Sequence, residues 1–357
     1  MKTILSCIFT IIAFSSCVEE IPFKTDSGDN LLIVSGSFTN SDEPQEVVLQ
    51  KTAAYGTAPK PVLGAGVIVK NSKGEIGRYQ EKSDGKYVLQ PKILRGVVGE
   101  SYRLEVETNG QTYESEAETM AAVIQPDSIF WEFGRETVLT NDGLSRSFDV
   151  VNVFVSTPLK SENKDAYLRW QMVGAFQFTT LPECSPFKTT TTCYFSKQMN
   201  PQIIQVASSK EFKVARTNKL RVGFESIGPA YTFLEKHYFT LFQYSISEKA
   251  NDYWQKVNIL ANQNGSIFDA IPASVKGNVS NKNNKNEKVL GYFEVSAVAM
   301  KRFYTLAFEI KKGFPILAQE SYCDGLRSFN NNIFVDGCCN CLDLPYPNGT
   351  TIRPVWW

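Results

Sequence analysis

The sequence predicts a mainly β protein: a small N-terminal β-sandwich over residues 31–120, then a larger β-rich domain over 125–357 that carries one helix. Three observations lead there. From Ser101 to Glu107, apolar residues (Tyr102, Leu104, Val106) alternate with charged ones (Arg103, Glu105, Glu107), the period-two pattern of a strand with one buried face. Turn signals recur at short spacing, among them Ser83-Asp84-Gly85 and Asn109-Gly110, whose residues tolerate positive φ. One stretch, Glu248 to Asn262, switches to helical spacing, with Ala250, Tyr253, Trp254, Val257 and Leu260 falling on one side.

The chain begins with a targeting segment. Lys2 supplies a positive start, and Ile4 to Phe14 form an apolar run of about eleven residues, the size of a signal-peptide core. A permanent span needs roughly 20 apolar residues, so this run is too short. Ser15, Ser16 and Cys17 follow: small side chains at the cut site, then a thiol that accepts lipid. Residues 1–16 therefore read as a lipoprotein signal, and Cys17 as the acylated first residue of the mature chain. Each buried methylene contributes about 0.8 kcal/mol, so two acyl chains such as palmitate anchor stably. Residues 17–30 are polar and read as a linker between the lipid and the fold.

Between residues 31 and 120 the expected strands are 31–38, 46–51, 65–71, 75–80, 86–90, 101–107 and 111–116. This series of short strands, joined by turns, suits an antiparallel sandwich. In the second region Asp149–Ser156, Ala166–Gly174, Lys219–Glu225, Tyr238–Ile246 and Val289–Ile310 read as longer strands. For the helix, Ser245 with Glu248 offers a capping box, and Ser247 is an equally good N-cap. Gly265 is placed to help end it. The aromatic stripe on this helix reads as core packing against a sheet. Asn278 to Lys288, rich in Asn and Lys, reads as an exposed loop.

Composition narrows the function. Lys+Arg and Asp+Glu both total 37. Without a net positive field the chain is a poor nucleic-acid binder. Of the eight cysteines, Cys7 leaves with the signal and Cys17 is acylated. Cys184, Cys193, Cys323, Cys338, Cys339 and Cys341 remain, an even set that suits disulfides in an oxidising compartment. Cys184 with Cys193 is the favoured pair because they bracket a short loop. The other four staple the C-terminal region, with neighbouring Cys338 and Cys339 each reaching a separate partner. Their spacing lacks the paired knuckles of a zinc site, so no metal or cofactor is expected. The one histidine, His237, is expected partly exposed at the start of a strand; no nucleophile-elbow pattern accompanies it, and no catalytic set is assigned. Terminal Trp356 and Trp357 are expected to dock on their own domain, pinned by the nearby cysteines.

Several stretches resemble one family. Leu32-Ile33-Val34-Ser35-Gly36, Gly64-Ala65-Gly66-Val67-Ile68-Val69 and Asp84-Gly85-Lys86-Tyr87 are followed by Gln243-Tyr244-Ser245-Ile246-Ser247, Gly265-Ser266-Ile267-Phe268-Asp269 and Leu290-Gly291-Tyr292-Phe293. Together with the Cys-rich end and Trp356-Trp357, they resemble the Bacteroidetes lipoproteins of domain of unknown function 4249, over nearly the whole mature chain. The resemblance implies an outer-membrane lipoprotein without assigned activity, often encoded beside TonB-dependent receptors, with an N-terminal part similar to transthyretin-like or carboxypeptidase-regulatory sandwiches. Glu19 and Glu20, just after Cys17, resemble the surface-export signals of such lipoproteins. The expected function is that of a non-enzymatic accessory or ligand-binding partner of a TonB-dependent transporter in nutrient uptake, lipid-anchored at the cell surface. A surface structural or adhesion protein is the alternative, and an unrecognised hydrolase comes third.

Overall fold

A computed structural model of the chain describes residues 30–53, 57–139, 144–162, 164–182, 187–200, 203–228, 230–261, 275–313, 323 and 336–357. Cys17, Glu19, Glu20, Cys184 and Gly265 lie outside the described residues. The fold is mainly β. In chain order the principal strands are β1 (Leu32–Thr39), β2 (Gln45–Lys51), β3 (Gly66–Asn71), β4 (Lys86–Leu89), β5 (Ser101–Thr108) and β6 (Gln111–Ser115). There follow β7 (Ser128–Leu139), β8 (Ser145–Pro158), β9 (Tyr167–Thr179), β10 (Thr192–Met199), β11 (Arg216–Ser226) and β12 (His237–Ile246). Helix α1 (Glu248–Ala261) comes next, before the last long strand β13 (Leu290–Thr305).

A ten-stranded sheet runs through the molecule in the order β10-β9-β12-β13-β1-β2-β4, ending on the short strand Gln80–Glu81. Two smaller sheets carry the remaining principal strands: β6-β5-β3, flanked by Val279–Asn281 and Ile76–Arg78, and β7-β8-β11. Alternation along β13 puts Phe293, Val295 and Ala297 on one face and Tyr292, Glu294 and Ser296 on the other. The first set joins Val34, Val47, Leu49, Val69, Leu104 and Val106 in one core, between the large sheet and the β3–β5–β6 sheet. A second core joins Leu168, Trp170, Phe239 and Leu241 of the large sheet to Val151, Val153, Val155 and Val222 of the β7–β8–β11 sheet. Each fully buried Val, Leu or Phe side chain contributes about 1.5–3 kcal/mol, so these two cores dominate the stability.

The expected boundary near residue 120 does not separate two self-contained units. β1 pairs in parallel with β13, from Ile33 opposite Leu290 to Thr39 opposite Ser296. Val279–Asn281 pairs with β6. Late residues thus complete the N-terminal core, and the physical reason is that β1 has an edge left open after pairing β2 on its other side. Gly291 makes the parallel contact possible: it sits at φ +89°, and an added Cβ would collide with the Val34 carbonyl oxygen.

The early strand ends agree with the sequence to within a few residues. Asn109 and Gly110 adopt φ 50° and 71° as the hairpin requires. The strand expected over Val289–Ile310 stops at Thr305, and Ala307–Lys311 is a helical turn. Asn278 to Lys288 is only partly the loop expected. Asn278 and Asn281 are buried, because Asn278 bonds both the carbonyl and the amide of Phe293 and the Asn281 side chain accepts from the amides of Asn283 and Asn284. Ser247 caps α1, its hydroxyl accepting from the Ala250 amide at 3.0 Å. Ser245 instead accepts from the Ile124 amide at 3.2 Å.

Candidate functional site

The face of the large sheet opposite the two cores carries α1 at one end and the C-terminal residues at the other, with a groove between. Its floor is built by cross-strand pairs. Ser35 and Ser37 of β1 stand opposite Tyr292 and Glu294 of β13. Arg169 and Gln171 of β9 stand opposite Tyr244 and Phe242 of β12. Helix α1 supplies Tyr253 and Trp254, and the β1–β2 turn supplies Ser41, Glu43 and Pro44. The groove is made of two clefts of about 300 and 350 Å³ that share Ser37 and Glu46.

A buried ion pair fixes α1 over this floor. Arg169 grips Glu294 with two hydrogen bonds, Nε at 2.9 Å and Nη2 at 3.0 Å. Trp254 Nε1 and the Ser296 hydroxyl also donate to this carboxylate, at 2.7 and 2.8 Å. Only 2% of the Glu294 side chain is exposed. Burial alone would push its carboxyl up; the Arg169 guanidinium and the Ser296 and Trp254 donors outweigh that and hold it below its ordinary value. Arg169 lies 4.4 Å from the Tyr244 ring centroid and 5.0 Å from that of Trp254. The guanidinium is therefore neutralised and sandwiched, and the groove floor carries no net charge from this pair.

His237 starts β12 as expected but is fully buried rather than partly exposed. Its ring stacks on Phe233 at 4.4 Å and approaches Phe239 at 4.6 Å. Nδ1 is 2.9 Å from the Thr232 carbonyl. Burial, outweighing that hydrogen bond and assisted by the Lys197 charge, lowers its pKa to about 4. Glu225 lies near the same spot, its carboxyl pushed up by burial against the pull of Lys197 at 3.5 Å. His237 lies outside the groove and in this position meets no solvent-borne substrate.

The cysteines correct the favoured pairing. Cys193 bonds Cys341, not Cys184. The reason is that Cys193 lies on β10 with its side chain in a small core with Phe176, Phe195 and Leu344, where the C-terminal residues pack. Cys323 bonds Cys338, and Cys339 is also in a disulfide, so the neighbouring pair does reach separate partners. Trp356 and Trp357 dock on the chain's own sheet. Trp357 Nε1 donates to Gln177 at 2.8 Å, its ring lies 4.6 Å from that of Tyr238, and Arg302 lies 3.8 Å over Trp356.

The aromatic stripe of α1 packs on the sheet as expected, Tyr253 and Trp254 lying against Ile246, Ala250 and Tyr292, whereas the sequence assigned Arg169 and Glu294 no role. The available signal was a lone charge within an apolar run, Leu168-Arg169-Trp170 and Phe293-Glu294-Val295.

The architecture defines a mainly β protein with a long sheet, two cores on one face and an aromatic and polar groove on the other. The chain belongs to the family described as domain of unknown function (DUF4249), whose model matches residues 18–302. The match begins directly after Cys17 and leaves 303–357 outside, narrower than the near-complete coverage expected from the residue resemblance. No curated protein matches the chain. Among the described residues, no helix is long and apolar enough to cross a membrane.

Proposed function

We propose that this chain is a non-enzymatic binding lipoprotein, held at the outer membrane by acyl chains on Cys17, that serves as an accessory partner of a TonB-dependent transporter. The observation that carries the binding role is the groove: a preformed concavity in the size range of ligand sites, lined by aromatic rings and polar groups. The burial of His237 supports a role without acid–base chemistry at that residue. The signal-like segment ending at Cys17, the acidic Glu19-Glu20 pair and the disulfides support an exported, cell-surface setting.

Two measurements test this reading. Replacing Cys17 by Ser should shift the protein from the membrane to the soluble fraction; unchanged tight association rejects the lipid anchor. Purification of the tagged, lipidated protein from outer membranes in mild detergent should recover a TonB-dependent transporter, and its consistent absence rejects the partnership.

A further inference from the structure

We propose that the groove takes a neutral, polyhydroxylated chain, that is, an oligosaccharide. The proposal rests on the reading of the protein as a binding lipoprotein and names the ligand class. Among the described residues an anion finds no free cation on the floor, because Arg169 is committed to Glu294 by two hydrogen bonds, while Glu43 and Glu46 line the wall, Glu46 with Lys86 at 3.5 Å. A cation competes with a resident one, since the Arg169 guanidinium already lies over the rings of Tyr244 and Trp254. An apolar ligand would strip water from the serine hydroxyls and the Gln171 amide without replacing those hydrogen bonds, which disfavours its binding.

A sugar ring satisfies all three conditions. It carries no charge, its C–H faces suit the negative face of an aromatic ring, and its hydroxyls pair with serines, carboxylates and amides. The floor supplies one such aromatic ring. Phe242, two residues from Tyr244 on β12, has its ring centroid 6.5 Å from that of Tyr244 with planes only 24° from parallel. Phe242 is half-buried and so presents part of its surface, whereas the Tyr244 ring already carries the Arg169 guanidinium. Gln171 is fixed beside them, accepting from the Tyr244 hydroxyl at 3.3 Å. The two clefts meet at Ser37 and Glu46, which makes room for more than one sugar unit.

The test titrates the purified full chain with neutral hexasaccharides of glucose, xylose and mannose, following tryptophan fluorescence and heat. Hexalysine and an oligogalacturonate serve as charged comparators. At least one neutral hexasaccharide should bind saturably, and Phe242→Ala should weaken it by about ten-fold, equivalent to roughly 1.4 kcal/mol. Gln171→Ala is the second variant, and both are checked for an unchanged melting curve. Binding untouched by both substitutions, no neutral binding at millimolar concentrations, or tighter binding of either charged comparator overturns the ligand class. Recovery of a transporter in the membrane purification alongside failed saccharide binding rejects the oligosaccharide and leaves the accessory role standing.

Discussion

Lowering the pH should expose the burial of His237 as a measurable loss of stability. The folded pKa of about 4 lies below the ordinary 6.5 because the ring is enclosed by Phe176, Phe233 and Phe239. Above pH 6.5 the imidazole is neutral folded and unfolded, and it contributes no pH dependence. As the pH falls from 6.5 towards 4, the unfolded chain binds a proton that the folded chain excludes, so stability falls. Below 4 the folded form is protonated too, and the loss stops growing. The gap of about 2.5 pH units, at about 1.4 kcal/mol each, amounts to roughly 3 kcal/mol. Glu225 and Glu118, whose carboxyls burial pushes up, act in the opposite direction, so the wild-type curve alone mixes these effects.

The difference between wild type and His237→Phe isolates the histidine. Phe keeps an aromatic ring in the stack, removes the unpartnered Nε2 together with the Nδ1 contact to Thr232 and does not titrate, so any constant packing cost cancels in the pH difference. Calorimetric melting at neutral pH and near pH 4.5, where most of that gap is expressed, should show the variant losing less stability on acidification, by about 2 kcal/mol. For a chain of this size that is a Tm difference of about 3 °C. The same pH slope in both proteins would refute the argument, because it would mean that the His237 ring is solvated in the folded state.

Three further outcomes follow from the geometry. Arg169→Ala leaves Glu294 buried without its cation and should cost about 3–5 kcal/mol in urea unfolding, while adding Glu294→Ala should cost much less than a second such loss. Replacing Cys193 and Cys341 by Ala opens a cross-link spanning 148 residues, with a chain-entropy loss of about 5 kcal/mol seen as a lower Tm; peptide mapping of the unreduced wild type should recover the joined Cys193 and Cys341 peptides. Deleting Trp356 and Trp357 uncovers the rings of Tyr238 and Tyr194 and should raise binding of an apolar dye, with no rise expected if the tail does not dock.

The elements legible in the sequence were those whose partner is near in the chain. The Asn109-Gly110 hairpin and the strands before it carry their own turn chemistry and alternation, so their ends fell where the pattern put them. The parallel pairing of β1 with β13 left no local trace: Ile33 and Leu290 look like ordinary strand residues, and only Gly291, whose neighbourhood forbids a Cβ, marks the contact. The same separation misled the cysteine pairing, where a short loop between Cys184 and Cys193 argued for a bond that the docking of the C-terminal residues on β10 assigns to Cys341.

The groove was hidden for a related reason. Ser37, Arg169, Tyr244, Trp254 and Glu294 come from five separate elements, each at a position that alternation alone would assign to solvent or to packing. What turns them into a site is that both cores lie on one face of the large sheet, so its opposite face is free to be polar. On that face a charge buried by α1 needs a counter-charge, and Arg169 reaches across Tyr244 to Glu294 to supply it. The pair thereby removes its own charge from the floor while holding Trp254 in place. A groove that commits the buried Arg169 to its own architecture has left recognition to rings, hydroxyls and amides. That is why the neutrality of its ligand, rather than its shape, is the property most exposed to experiment.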